Sequence, residues 1–76
     1  MKSNEKCILK ILKIHGNGLF TNEILQLTKN YPKLCKGCSS GNHIISSGLE
    51  LINIGLIEKK IAKGGFKWYL KNINQE

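Results

Sequence analysis

Seventy-six residues and 8.5 kDa leave room for one domain, and a chain this short buries only about 60% of what it exposes when unfolded, so two globular halves are excluded. Hydrophobic residues make up 41% of the chain and no apolar run exceeds three residues, which argues against both a disordered chain and a membrane span of roughly 18 residues. Twelve lysines against five glutamates, with no arginine and no aspartate, give a net charge of +7 and point to an anionic partner.

Ile8, Ile11, Leu12 and His15 recur at i, i+3, i+4 and i+7, while Lys2, Lys6, Lys10 and Lys13 fall on the opposite stripe, so an amphipathic helix is predicted from Asn4 to His15. Ser3 or Asn4 is its expected cap, Glu5 suits the positive end of the helix dipole, and Gly16 supplies the residue that ends it. A second start follows at Thr21, with Phe20 before the cap and Leu25 at the fourth helical position, the arrangement of a hydrophobic staple. This helix directs Ile24, Leu25 and Leu27 inward. It ends near Asn30, because Tyr31 precedes Pro32 and is pushed toward extended geometry. Pro32, Gly37, Ser39, Ser40 and Gly41 then mark residues 29–41 as a long connection with turn chemistry.

A third helix is predicted from about Gly41 or Asn42 to Asn53, capped by Ser40. Ile44, Ile45, Gly48, Leu49, Leu51 and Ile52 form its apolar arc; Asn42, His43, Ser46, Ser47, Glu50 and Asn53 form its polar one. A glycine inside a helix costs about 1 kcal/mol relative to alanine, so Gly48 is expected to admit the close approach of another helix. Gly55 ends the helix, with Leu56 touching Leu51. Two short runs follow, Ile57 to Lys63 and Phe66 to Leu70, with Gly64 and Gly65 as a two-residue hairpin loop. That loop sets Ile61 opposite Trp68, Glu58 opposite Lys71 and Lys60 opposite Tyr69. It puts Ile57, Ile61, Phe66, Trp68 and Leu70 on one side and Lys60 and Lys67 on the other. Residues 72–76 read as a polar tail, so a single domain spans residues 1–76 with its core at about 4–71.

Helix, short helix, helix and hairpin is the order of a winged helix. Gly55-Leu56-Ile57-Glu58-Lys59-Lys60 through Lys67-Trp68-Tyr69-Leu70 resembles the end of a recognition helix entering its wing. The likeness covers Lys6 to Lys71 and is to the winged helix-turn-helix superfamily of small bacterial and archaeal transcription regulators. It implies an α+β fold, a three-helix core with a two-stranded C-terminal β-hairpin wing. It also implies double-stranded DNA binding by a small transcriptional regulator or accessory factor, the third helix entering the major groove and the hairpin tip touching the adjoining backbone. Carried over residue by residue, the probing face is Asn42, His43, Ser46 and Ser47, and the wing contacts are Lys60, Lys63 and Lys67. This chain departs from the pattern in its connection between the second and third helices, longer than the roughly 3 to 4 residues of a tight helix-turn-helix turn. Its third helix also carries Glu50 and no Lys or Arg.

Read from charge alone, phosphate attraction comes from the elements bracketing the third helix: Lys33 and Lys36 before it, Lys59, Lys60, Lys63 and Lys67 after it. Such contacts position a protein and carry no sequence information. Asn42 suits adenine, and Ser46 or Ser47 suits various base edges, but no arginine is present to grip guanine, so modest selectivity is expected. One such module presents few contacts, which favours a homodimer formed through helix one or the apolar arc of helix three. The competing reading is a winged helix that docks onto another protein within a larger complex, through the polar face of helix three; RNA binding is a third.

Cys35-Lys36-Gly37-Cys38 followed by His43 spells C-x-x-C-x4-H, one ligand short of a tetrahedral zinc site unless Cys7 joins it. The alternatives are free thiols at Cys35 and Cys38 with Cys7 as a small core residue, or a disulfide from Cys7 to the loop. His15 reads as a partner for its helix C-terminus. Trp68 and Tyr69 read as packing residues in preference to a base-stacking platform. The chain has no carboxylate pair, no phosphate-cradling glycine loop and no acid placed to orient a Cys/His nucleophile, so neither an enzyme nor a cofactor is expected. The lysine-bearing start lacks the apolar stretch of a secretory signal, and a cytoplasmic protein without membrane contact is the expectation.

Overall fold

The computed structural model describes residues 2–16 and 18–71; the expected polar tail, residues 72–76, lies outside the described residues. In chain order the elements are α1 (Ser3–His15), β1 (Leu19–Phe20), α2 (Thr21–Leu27) continued by a 3-10 turn (Thr28–Asn30), α3 (Gly41–Ile54), β2 (Ile57–Ala62) and β3 (Gly65–Leu70). The fold is α+β: three helices and a three-stranded antiparallel sheet in the order β1-β3-β2. The expected two-stranded hairpin is therefore two-thirds of a larger sheet. At two residues, β1 is too short to show alternation in a sequence. It forms because the Gly18 N–H donates to the Trp68 carbonyl at 2.9 Å and because Leu19 and Phe20 lie opposite Trp68 and Lys67.

The start of α1 lies one residue earlier than expected. Lys2 occupies the cap position, and the Glu5 carboxylate accepts its backbone N–H at 3.3 Å, the reciprocal half of a capping box. Ile8, Ile11 and Leu12 are fully buried as the stripe requires, while His15 is exposed and bonds through Nε2 to the Tyr31 hydroxyl at 3.0 Å. In α2 the cap is Phe20, whose N–H donates to the Glu23 carboxylate at 2.8 Å. Thr21, expected in that role, turns its hydroxyl to accept the Trp68 indole N–H at 2.9 Å. A buried indole N–H without an acceptor costs about 1–3 kcal/mol, and a helix start is easily capped by the neighbouring residue's backbone. The tertiary bond therefore takes the hydroxyl.

At the start of α3 the Ser40 carbonyl accepts from the N–H groups of His43 and Ile44. At its end Gly55 adopts φ 90° and ψ 18°, its N–H reaching the Ile52 carbonyl at 3.0 Å while the Leu56 N–H reaches the Leu51 carbonyl at 3.0 Å. Those two bonds are the Schellman pair. Two corrections fall on this helix. Ser47, expected on the polar arc, is only 8% exposed, whereas Leu49, expected in the apolar arc, is 44% exposed. The buried line is Ile44, Ser47, Gly48 and Leu51, at i, i+3, i+4 and i+7. Gly48 makes room for the Trp68 ring of β3 in place of the expected helix. A Cβ there would lie 2.5 Å from Trp68 Cζ3 and 2.7 Å from Cη2.

The hairpin register is offset from the expected one. Ala62 lies opposite Gly65, so the two-residue loop is Lys63-Gly64, and Trp68 faces Lys59, Lys60 faces Lys67, and Ile61 faces Phe66. Gly64 and Gly65 both take positive φ, but Gly65 does so as the first residue of β3. Trp68 itself is seated between the Gly48 notch and the Thr21 hydroxyl. An offset of two preserves the faces, so Ile57, Ile61, Phe66, Trp68 and Leu70 still share one side. Ile61 is nonetheless 82% exposed, because it sits near the tip, beyond the edge of the core.

The core joins Ile8, Ile11 and Leu12 of α1 and Ile24 of α2 to Ile44 and Leu51 of α3, closed by Ile57 and Trp68 of the sheet. Burying each of these aliphatic side chains contributes about 1.5–3 kcal/mol. Cys7 and Cys35 form a disulfide, with Cα atoms 5.2 Å apart, that ties the long connection to α1. No helix among the described residues is long and apolar enough to cross a membrane.

Candidate nucleic-acid interface

The polar flank of α3 follows from its buried line. With Ile44, Ser47, Gly48 and Leu51 turned inward, Asn42, Ser46, Leu49 and Asn53, spaced i, i+4, i+7 and i+11, form one outward stripe, and His43 and Glu50 border it. Of the four residues expected to probe a groove, Asn42, His43 and Ser46 are thus exposed together. Ser47 is withdrawn into the interior by helical geometry. Leu49 replaces it as an accessible residue on that surface. The 3.6-residue period, counted from Gly48 and Leu51, was the signal that separates the two; assigning every apolar residue to the core obscured it.

The tautomer of His43 is fixed by its neighbour. The Ser39 backbone N–H donates to Nδ1 at 3.2 Å, and the Ser39 hydroxyl lies 3.1 Å from the same nitrogen. A backbone N–H can only donate, so in this geometry Nδ1 is the acceptor and the ring hydrogen is at Nε2. His43 therefore presents a donor, suited to a phosphate oxygen or to the N7, O6 and O4 acceptors of base edges.

Around the first turns of α3 the surface is concave. A groove of about 330 Å³ is lined by Gly41 and Ile45 of α3, Thr21 and Asn22 at the start of α2, and Gly64, Gly65 and Phe66 of the hairpin. Small residues on three elements let the hairpin turn stand beside α3. Exposed Lys63 is in that turn. The other hairpin lysines are arranged by the pleat. Lys60 and Lys67 lie directly opposite each other on the outer face of the sheet, their ammonium groups 5.1 Å from the Tyr69 ring centroid and 5.0 Å from that of Phe20. Two like charges across a ladder repel. Each is offset by a ring whose negative face attracts a cation by about 0.5–1 kcal/mol. Lys59 is on the core-facing side of the strand, half-buried, with its ammonium 4.6 Å from the Phe66 centroid.

Lys36 is exposed but belongs elsewhere. Its neighbour Gly37 abuts the Asn4 side chain in α1, and neither residue lines the α3–hairpin groove. Asn42 and Ser46 follow the groove-lining Gly41 and Ile45 in sequence and Lys63 precedes Gly64, whereas His43, two residues from either lining position, lies on the far side of α3; Lys60 and Lys67 are on the outer sheet face, and Lys36 is apart. Trp68 is fully buried and offers nothing for a base to stack on, whereas Tyr69 is partly exposed on the outer face.

The thiol-rich motif has a different outcome. Cys35 is bonded to Cys7, and a disulfide sulfur supplies no thiolate to a metal. Cys38 is a buried free thiol whose pKa is raised by desolvation, and His43 is engaged with Ser39. Among the described residues no group of three His, Cys, Asp or Glu side chains is placed to hold a metal ion.

Comparison with protein-family models, with curated proteins and with solved structures finds no match to this chain.

Proposed function

We propose that this protein is a winged-helix module that binds double-stranded DNA, as a small transcriptional regulator or accessory factor. In this reading α3 is laid in the major groove and the β2–β3 hairpin beside it. The observation that supports the reading is the groove shared by the first turns of α3, the start of α2 and the hairpin turn, with exposed Asn42 and Ser46 next in sequence to its α3 lining and exposed Lys63 next to its hairpin lining. The order of elements and the β1-β3-β2 sheet support it as well. Lys60, Lys63 and Lys67 take phosphates and set the register, while the α3 stripe meets base edges. Asn42 pairs with adenine, and Leu49 suits the thymine methyl; with no arginine for guanine, the readout leans toward A·T pairs.

Mobility shifts against a pool of random duplexes test this. Reversing Lys60, Lys63 and Lys67 to Glu is expected to abolish binding across all sequences, and replacing Asn42 and Ser46 by Ala to flatten sequence preference with a smaller loss of affinity. Absence of duplex binding at low salt by the unaltered protein would overturn the reading.

The exposed Leu49 and Ile54 on α3 favour one second reading, a protein-docking role for this helix. In that case Leu49→Ser leaves nucleic-acid affinity untouched and abolishes capture of the partner.

A further inference from the structure

A second groove, sharing no residue with the first, runs between α1 and the connection that follows α2. It encloses about 480 Å³ and is lined by Lys6, Leu9, Lys10, Lys13, Ile14 and Leu34. Lys6, Leu9, Lys10 and Lys13 fall at i, i+3, i+4 and i+7, so they form one stripe of α1 on the side turned away from Ile8, Ile11 and Leu12. Its floor is apolar and its edge is cationic. Ile14 is 57% exposed, a large aliphatic surface left to water within the groove, as Leu49, Ile54 and Ile61 are elsewhere. The opposite wall is Leu34, held against α1 by the adjacent disulfide between Cys35 and Cys7. Lys10 is further positioned by the Tyr31 ring, 5.6 Å from its ammonium group.

The composition of the groove discriminates among occupants. A second copy of the chain, docked about a two-fold axis, would set three lysines against three lysines, and like charges in apposition oppose such contact. A phosphate backbone would satisfy the lysines but leave Leu9, Ile14 and Leu34 against a polar surface. A helix with an apolar stripe flanked by carboxylates satisfies both, because leucine-like residues at i, i+3, i+4 and i+7 fill a groove of this kind while glutamates one position to either side meet its basic edge.

We propose that the groove between α1 and Leu34 is the docking site for an acidic amphipathic helix of a partner protein. The site is independent of the duplex-binding reading. It gives the module a handle for a partner while α3 and the hairpin are engaged.

The probe is a synthetic helical peptide of about 14 residues with leucines at i, i+3, i+4 and i+7 and glutamates flanking them. It is titrated into the full-length protein by fluorescence anisotropy, beside a scrambled peptide of identical composition. The ordered peptide is expected to bind at least tenfold more tightly than the scrambled one. Lys10→Glu with Lys13→Glu, and separately Ile14→Ser, are each expected to weaken it at least tenfold; these residues are exposed, so circular dichroism should show the fold retained. Mobility shift with duplex DNA is expected to be unchanged in Ile14→Ser, which separates failure here from failure of the duplex reading. Equal affinity for the scrambled peptide would overturn the proposal by reducing the groove to a charged surface. So would binding of phosphatidylserine vesicles in place of the peptide, or a dimer in sedimentation that Ile14→Ser dissolves.

Discussion

Gly48 lacks a side chain where Trp68 needs the space, and these two residues fix much of what surrounds them. Alanine is the better helix former by about 1 kcal/mol. A methyl group at position 48 would nevertheless enter the volume of the indole, which its bond to Thr21 prevents from moving aside. Overpacking of this kind costs about 1–3 kcal/mol. Gly48→Ala is therefore expected to lower the urea midpoint, and a stabilised variant would show that the indole yields. That a small residue was wanted at position 48 was legible in the sequence, since nothing else justifies a glycine inside an amphipathic helix. Which element fills the notch was not, because periodicity describes one helix at a time and Trp68 is 20 residues away in a strand.

Cys38 allows a sign-definite test of burial. Desolvation raises its pKa, so the folded state holds the proton more tightly than the unfolded chain. The stability this confers is fully present below the ordinary thiol pKa of about 8.5 and is lost as pH rises from there through the folded value. Denaturation of the parent and of Cys38→Ala between pH 7 and pH 10 should show the parent losing more stability over that range. Parallel declines would mean that the thiol is hydrated in the folded state.

At the level of elements, α1, α3 and the two long strands were legible because each carries its own period and its own stop signal. The Gly55 cap and the faces of the hairpin follow directly from such signals. The register did not, since Lys63-Gly64 and Gly64-Gly65 are both workable two-residue loops and local pattern does not choose between them. Nor did β1, whose pairing is entirely with a strand nearly 50 residues later. Once the register is known, Lys60 opposite Lys67 becomes a test that separates stability from binding. Lys60→Glu replaces a repulsive pair with an attractive one, worth about 0.2–1 kcal/mol. The thermal midpoint is expected to hold or rise while duplex affinity falls; loss of both together would mean the substitution damages the sheet.

The disulfide belongs to this scale too. It closes a loop between residues 28 apart, for which chain-entropy arguments give about 3–4 kcal/mol. The C-x-x-C-x4-H spacing suggested a different use of Cys35, because spacing along the chain cannot tell which thiols the fold brings within bonding reach. Reduction should lower the urea midpoint in proportion, and an unchanged midpoint would place the constraint elsewhere.

Across the whole molecule, two of the surfaces that carry lysines differ in texture. On the outer face of the sheet Lys60 lies opposite Lys67, with Lys63 in the adjoining turn; in the α1 groove Lys6, Lys10 and Lys13 alternate with Leu9 and Ile14. The net charge of +7 was visible in the sequence, but its distribution was not, because Lys36 and Lys63 look alike until the fold separates them. The functional account rests on the duplex binding proposed for α3 and the hairpin. Its most direct test is the affinity of the unaltered protein for a mixed-sequence duplex, measured over a series of salt concentrations. Engagement of about three phosphates, by Lys60, Lys63 and Lys67, predicts that log affinity falls linearly with log salt at a slope near −3. A slope near zero, or no binding at the lowest salt, would contradict the account.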